Sequence, residues 1–149
     1  MMRASIMIRK YRSEDTTALE AVWRAATRIA HPFFKEAFVE QEAENLRQVY
    51  LPKSETWVVE HEGDPVGFIA LAGDEIGGLF LHPAHHGKGL GRALVDHAIA
   101  LKGPMWLEVF EKNVTGRRFY DRYGFVETSR SRHDATGETL LKVAFSKTP

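Results

Sequence analysis

The chain contains no cysteine. That absence excludes a disulfide framework, a thiolate zinc site and a cysteine acyl intermediate. An excess of either charge is also missing: 20 Lys and Arg balance 20 Asp and Glu. Charge balance therefore gives no basic face for nucleic acid and none for an anionic membrane. No apolar run approaches the length of a membrane span, and the start, residues 1–10, has too short an apolar stretch and the wrong charge placement for a signal peptide. Repeats, low-complexity segments and linker-like stretches are absent. The expectation is a cytoplasmic protein of one domain over residues 1–149, with neither a nucleic-acid nor a membrane partner.

What is present is periodicity. Residues 5–11 alternate apolar and polar, and Ser13-Glu14-Asp15 then offers a helix cap with acidic residues in the first turn. Leu19, Val22, Trp23, Ala26 and Ile29 recur at helical spacing, and that helix ends near His31-Pro32. A second helix is expected over 35–50, with Phe38, Leu46, Val49 and Tyr50 as its apolar positions and its end before Pro52. The period then falls to two. Short runs at 56–60, 66–72 and 76–81, separated by turns at 62–65 and 73–74, read as an antiparallel meander.

A helix over 89–101 carries Leu90, Leu94, Ala98 and Leu101 on its inner face, and Gly103-Pro104 ends it before a strand at 105–110. Such a strand–helix–strand unit should be parallel and right-handed. The last helix covers 113–123 with Gly124 as its stop, and strands at 125–131 and 139–145 follow around the turn 135–137. The fold class is α/β: a mixed, mostly antiparallel sheet of six or seven strands with about four helices on both faces.

The densest signal is His82-Pro83-Ala84-His85-His86-Gly87-Lys88-Gly89-Leu90-Gly91-Arg92, which leads from a strand through a glycine-rich turn into an amphipathic helix. Glycines at alternate positions let backbone N–H groups converge, and the helix aims its positive end at the same point. Lys88 and Arg92 add formal charge, so the segment reads as a phosphate cradle. A dinucleotide fingerprint would need G-x-G-x-x-G and a Walker loop G-x-x-x-x-G-K-[ST]; neither fits these glycines. His82, His85 and His86 lack an accompanying carboxylate or cysteine at ligand spacing, so no metal is expected.

On these residues the chain resembles the GCN5-related N-acetyltransferases (GNAT). Their pyrophosphate loop, Arg/Gln-x-x-Gly-x-Gly/Ala between the fourth strand and the third main helix, stands here as His86-Gly87-Lys88-Gly89-Leu90-Gly91, with His86 in place of Arg or Gln. A second segment follows at the expected distance: Leu107-Glu108-Val109, Asn113, Arg118-Phe119-Tyr120 and Tyr123-Gly124-Phe125. The resemblance implies the GNAT fold and acetyl-CoA as co-substrate. It places His86, Gly87, Lys88, Gly89, Leu90, Gly91 and Arg92 around the pyrophosphate. Leu79, Phe80 and Leu81 would run beside the pantetheine arm, Asn113 would hydrogen-bond it, and Phe119 and Tyr120 would complete the cofactor side. Asn113 is also a strong N-cap, and Arg117 and Arg118 are within range of a phosphate or are ordinary exposed helix arginines.

Acetyl transfer to an amine requires one group to take the amine proton and another to protonate the departing thiolate. Tyr120 matches the family's proton donor to the CoA sulfur, although a tyrosine there could also be plain helix core. Leu107-Glu108-Val109 resembles the Leu-Glu-Val of ribosomal-protein and protein N-terminal acetyltransferases, making Glu108, sharing a strand face with Trp106 and Phe110, the candidate base; an ordered water is the alternative. Partial desolvation would raise its proton affinity. Gly77 and Gly78 would permit a bulge and a close approach of the acyl group, or mark an irregular edge strand. The segment between the first two helices forms the acceptor side in the family, so His31, Phe34 and Trp57 are expected to shape that pocket. The implied reaction is direct attack by a primary amine, on a small molecule, a protein N-terminus or a lysine, in a ternary complex. The alternative is an acyl-CoA sensor without turnover. A homodimer would pair through exposed aromatics of the helical part or the last strands.

Overall fold

The computed structural model describes residues 5–146, so the first residues of the 1–10 stretch and the last three of the chain lie outside the described residues. The elements are β1 (Ile6–Lys10), α1 (Thr16–Ala30), α2 (Glu36–Asn45), β2 (Glu55–His61), β3 (Asp64–Ala72), β4 (Glu75–Leu81), α3 (Leu90–Lys102), β5 (Met105–Phe110), α4 (Val114–Tyr123), β6 (Val126–Arg132) and β7 (Thr139–Phe145). The strands form one seven-stranded sheet in the order β1-β2-β3-β4-β5-β7-β6. Neighbours are antiparallel except β4 and β5, which the α3 crossover makes parallel.

Both faces of the central strands are covered, and consecutive residues feed different cores. Val58 and Phe68 pack with Leu19, Val22, Trp23, Ala43, Leu46 and Leu51 under α1 and α2. Val59 and Ile69 pack with Leu90, Leu94, Val95, Ala98, Tyr120 and Phe125 under α3 and α4. The sheet thus separates two apolar layers, which is why β3 reads as a continuous apolar run and not as an alternation.

Several sequence expectations need correction. Ile29 is 55% exposed because the buried stripe of α1 runs through Leu19, Val22, Trp23, Ala26 and Thr27, and Ile29 lies past its end. Leu101 is 51% exposed, where α3 runs past its last packed residue, Ile99. Helix α2 does not stop before Pro52: it continues through a π-turn, Leu46–Tyr50, into a closing turn, Leu51–Lys53. The wider turn rotates Val49 and Tyr50 outward and hands the buried place to Leu51. Pro52 falls in the first positions of that closing turn, and the helix ends one residue after it, at Lys53.

Nor does Ser13 cap α1. Residues Ser13–Asp15 form a 3-10 turn, and the Asp15 carboxylate accepts the Arg12 N–H at 2.8 Å and both terminal nitrogens of Arg9 at 2.8 Å. Arg9 also donates to Glu60, so one guanidinium ties β1 to β2 and to the start of α1. At the far side of the sheet β6 forms the outer edge, exposed along its whole length, with a bulge between Glu127 and Ser129. Among the described residues no helix is long and apolar enough to cross a membrane.

The Arg9 guanidinium holds the Asp15 carboxyl below its ordinary 3.8. Its contribution to stability is therefore present above that value and lost as pH falls through the depressed one. Asp15→Asn is expected to lower the unfolding free energy at neutral pH by about 2–3 kcal/mol. Urea denaturation at neutral and acidic pH would show this difference shrinking in acid.

Candidate active site

The glycine loop owes its shape to two different requirements. Gly87 and Gly89 have φ of +79° and +78° with open space where a Cβ would stand, so a side chain there is excluded by backbone conformation and not by crowding. Gly91 is helical; a Cβ on it would lie 3.4 Å from the Phe119 ring, so its smallness sets the approach of α3 to α4. Gly89 is the N-cap of α3 and has no side chain with which to cap it. Ala93 is the first helix residue whose amide finds an acceptor, the Gly89 carbonyl at 3.0 Å. The amides of Leu90, Gly91 and Arg92 are left uncapped, while Leu90, 1% exposed, anchors the loop in the core.

Around the loop, His86 Nε2 lies 3.3 Å from the Leu81 carbonyl, and Lys88 Nζ lies 3.2 Å from His85 Nδ1. Local burial, then Lys88, hold the His85 imidazole below its usual value. Arg92 lies over the Tyr123 ring at 4.8 Å. Arg117 donates to the Glu111 carbonyl at 3.1 Å and Arg118 is exposed. Among the described residues no three His, Asp or Glu side chains are grouped to hold a metal ion.

Beyond the loop, β4 and β5 share a single register pair, Glu75 with Trp106. Two bonds close this apex: the Trp106 N–H donates to the Asp74 carbonyl and its indole to the Asp74 carboxylate, each at 3.1 Å. From there the strands part. On its other edge β4 is bulged: Ala70 opposes Gly78 and Leu71 opposes Ile76, leaving Gly77 as the extra residue, at one of the two glycines that the sequence singled out. At Gly78 a Cβ would sit 2.9 Å from Phe80 Cε2, so the phenyl ring lies folded back over that glycine.

A cavity of about 510 Å³ occupies the α1/α2 side of the parting. It brings together His31, Phe34, Leu79, Phe80, Glu108, Asn113 and Tyr120 from the sequence reading. Tyr120 belongs to the α3/α4 core yet lines this cavity, because the strands between have separated. Its ring meets Phe119 and Phe125 at 5.3 and 5.5 Å, and burial holds the phenol well above its ordinary value, hence protonated. Asn113 caps α4, accepting the Gly116 N–H at 2.9 Å; Gly116 must be glycine, since a Cβ would fall 2.5 Å from Asn113 Nδ2. The His31 ring stacks on Phe34 at 4.6 Å and meets Phe33 and Phe110 edge-on. Burial lowers its pKa to about 4, so it is neutral at physiological pH.

Two sequence expectations fail here. Trp57 is on the opposite face: β2 buries both faces, Val58 points to α1 and α2, and Trp57 therefore points to α3, 4.3 Å from the His97 ring. Glu108 is exposed beside Lys142 rather than partly desolvated, because no helix covers this face of β5. Leu81 is also outside the cavity lining, packed in the α3/α4 core. The half-buried acid is Glu75, unmarked in the sequence; burial first, then the charges of Glu108 and Asp74, push its pKa up. Glu42, Tyr50 and His133 also line the cavity and were not anticipated. Only the β4–β5 apex identifies Glu75, and only the π-turn brings Tyr50 to the rim.

A family model described as an acetyltransferase (GNAT) domain matches residues 52–127. The peptidyl-lysine N-acetyltransferase YjaB of Salmonella typhimurium is 37% identical over 134 residues, covering 89% of this chain and 92% of that protein. The peptidyl-lysine N-acetyltransferase YiaC of Escherichia coli is 29% identical over 120 residues, 80% of this chain and 82% of that one. The solution structure of apo YjaB from Escherichia coli matches with a TM-score of 0.85 at 32% identity, covering 94% and 97% of the two chains. The PaiA N-acetyltransferase of Thermoplasma acidophilum, solved with coenzyme A, shares the fold at a TM-score of 0.76 and 21% identity, over 95% and 99%. The family match runs from the end of α2 into β6, and so contains the loop, both parted strands and Tyr120; the chain belongs to the GNAT family of acetyl-CoA-dependent N-acetyltransferases.

Proposed function

We propose that the acceptor is the ε-amine of a lysine in a protein or peptide, acetylated by direct attack while donor and acceptor are bound together. One observation carries the choice of acceptor: among the described residues Glu42, Glu75 and Glu108 line the cavity and no Lys or Arg does, in a chain whose charges balance overall. With His31 neutral, the cavity attracts an ammonium group. The two curated relatives described above are themselves peptidyl-lysine acetyltransferases, which supports the same reading.

The uncapped amides of Leu90, Gly91 and Arg92, at a helix N-terminus entered through two left-handed glycines, fit a pyrophosphate. Lys88 and Arg92 add charge beside them. Among the described residues the β5-facing edge of β4 has no strand partner from Ile76 onward, and its backbone groups suit the amides of an extended arm. Bound there, acetyl-CoA supplies the activated acyl group. The amine nitrogen forms a bond to the thioester carbonyl carbon, the carbon–sulfur bond breaks, and the sulfur takes a proton from Tyr120. A phenol kept neutral by burial and facing the cavity suits that task. The amine's own proton passes to the Glu75–Glu108 pair, directly or through water. Glu75 is the better acceptor of the two because burial and its neighbour's charge raise its proton affinity.

Tyr120→Phe is expected to reduce kcat by about 100-fold with acetyl-CoA affinity retained, measured as CoA release with a lysine peptide and by calorimetry. Full affinity with no turnover of any amine by the unmodified protein would instead indicate a sensor. The rate should fall as pH drops through the raised Glu75 value. Removing the neighbouring charge in Glu108→Gln should move that acid limb to lower pH, and Glu75→Gln should abolish it together with most of the rate. A kcat/KM profile against pH for the three proteins checks this; a limb that stays in place in Glu75→Gln would assign the proton to another group.

A further inference from the structure

The cavity is chemically divided. Its lining includes the polar Glu42, Tyr50, Glu75 and Glu108, and also Trp23 of α1, Leu46 at the start of the π-turn, and Phe68 and Ala70 of β3, all apolar. Phe80 belongs to the second group and is fixed from several sides. Its ring folds over Gly78, meets the Trp23 ring edge-on at 6.5 Å and lies against Phe68 at 5.5 Å. Trp23 and Phe68 are 6% and 1% exposed, so the support behind the ring is part of the packed core and does not yield easily. The remaining surface of Phe80 faces the cavity two residues beyond the Gly78 side of the bulge.

We propose that Phe80 sets the length of the acyl group this protein transfers, its ring occupying the space that an acyl chain longer than acetyl would enter. The inference rests on the acetyltransferase reading above, with the acyl group taken to approach at the bulge of β4, where Gly77 and Gly78 leave room for it. The chemistry is the same for any acyl group: nitrogen bonds to the carbonyl carbon, the carbon–sulfur bond breaks, and one proton leaves the amine as another reaches sulfur. Discrimination must therefore come from shape. In an apolar pocket each additional methylene is worth roughly 10- to 200-fold in specificity when it is resisted. Removing the ring would open space backed by Trp23, Leu46 and Phe68, a dry apolar limb suited to an aliphatic chain.

The test compares acetyl-, propionyl- and butyryl-CoA with one lysine peptide, for the unmodified protein, Phe80→Leu and Phe80→Ala. Two quantities are read: kcat/KM for each donor, and the Kd of each acyl-CoA relative to free CoA without acceptor. The unmodified protein should use acetyl-CoA at least about tenfold better than butyryl-CoA, Phe80→Ala should raise the butyryl-to-acetyl ratio about tenfold or more, and Phe80→Leu should fall between. The affinity of butyryl-CoA relative to CoA should rise in the same order, which decides the matter even if Phe80→Ala turns over no donor. Ratios that neither variant moves, or an unmodified protein equally active with butyryl-CoA, would overturn the proposal. Failure of the unmodified protein to acetylate any amine would sink the acceptor reading, while the relative affinities would still judge Phe80.

Discussion

The site depends on two neighbouring strands being held apart. Hydrogen bonding favours zipping β4 and β5 along their length, yet they pair at Glu75 and Trp106 alone. Their outer partners account for the gap. β5 is in register with β7 over all six of its residues, and β4 is paired to β3 up to Leu81, so each is committed to a different half of the sheet. The bulge at Gly77 adds local twist to β4, and the paired bonds from Trp106 to Asp74 fix the apex from which the strands diverge. The unpaired edges that result would be a defect elsewhere; here they line a cavity.

The gap also explains how residues from opposite layers meet. Tyr120 rises from the α3/α4 core, Glu75 and Glu108 come from the parted strands, and His31 with Phe34 descends from the end of α1. Burial acts on each according to its charge type. It keeps the phenol protonated, raises the carboxyl of Glu75 and strips the proton from His31. One apolar environment thus keeps a phenol protonated, raises the proton affinity of a carboxylate and leaves an imidazole uncharged.

Much of this was legible in the residues. Helical spacing located α1 and α3, alternation and turns located the meander, and the alternating glycines located the left-handed turn that opens α3. What stayed hidden was set by packing across the chain. The π-turn that exposes Tyr50 inserts a residue so that Leu51 can be buried against α1's neighbours, a demand that no local pattern carries. Trp57 was misplaced because a strand buried on both faces gives no parity by which to choose a side. Glu108 looked desolvated on its strand, but α1 and α2 pack over β2, β3 and β4 and leave its face of β5 open. Glu75 owes its raised proton affinity first to burial and then to the charge of Glu108, 33 positions away, neither of which a local pattern reveals.

The outer edge of the sheet bears on how the molecule behaves in a crowded solution. β6 offers a row of backbone groups to any passing strand, the usual seed of sheet-on-sheet aggregation. Its sequence, Val126-Glu127-Thr128-Ser129-Arg130-Ser131-Arg132, is short of apolar side chains, and the bulge after Glu127 breaks the flat repeat that another strand would have to follow. Arg130 is engaged by Glu127 and Glu111, so a guanidinium stands across the approach. An intruding strand would have to displace these ion pairs before gaining its first hydrogen bond, which lets a protein with an interrupted sheet at its centre keep a complete one from growing at its margin.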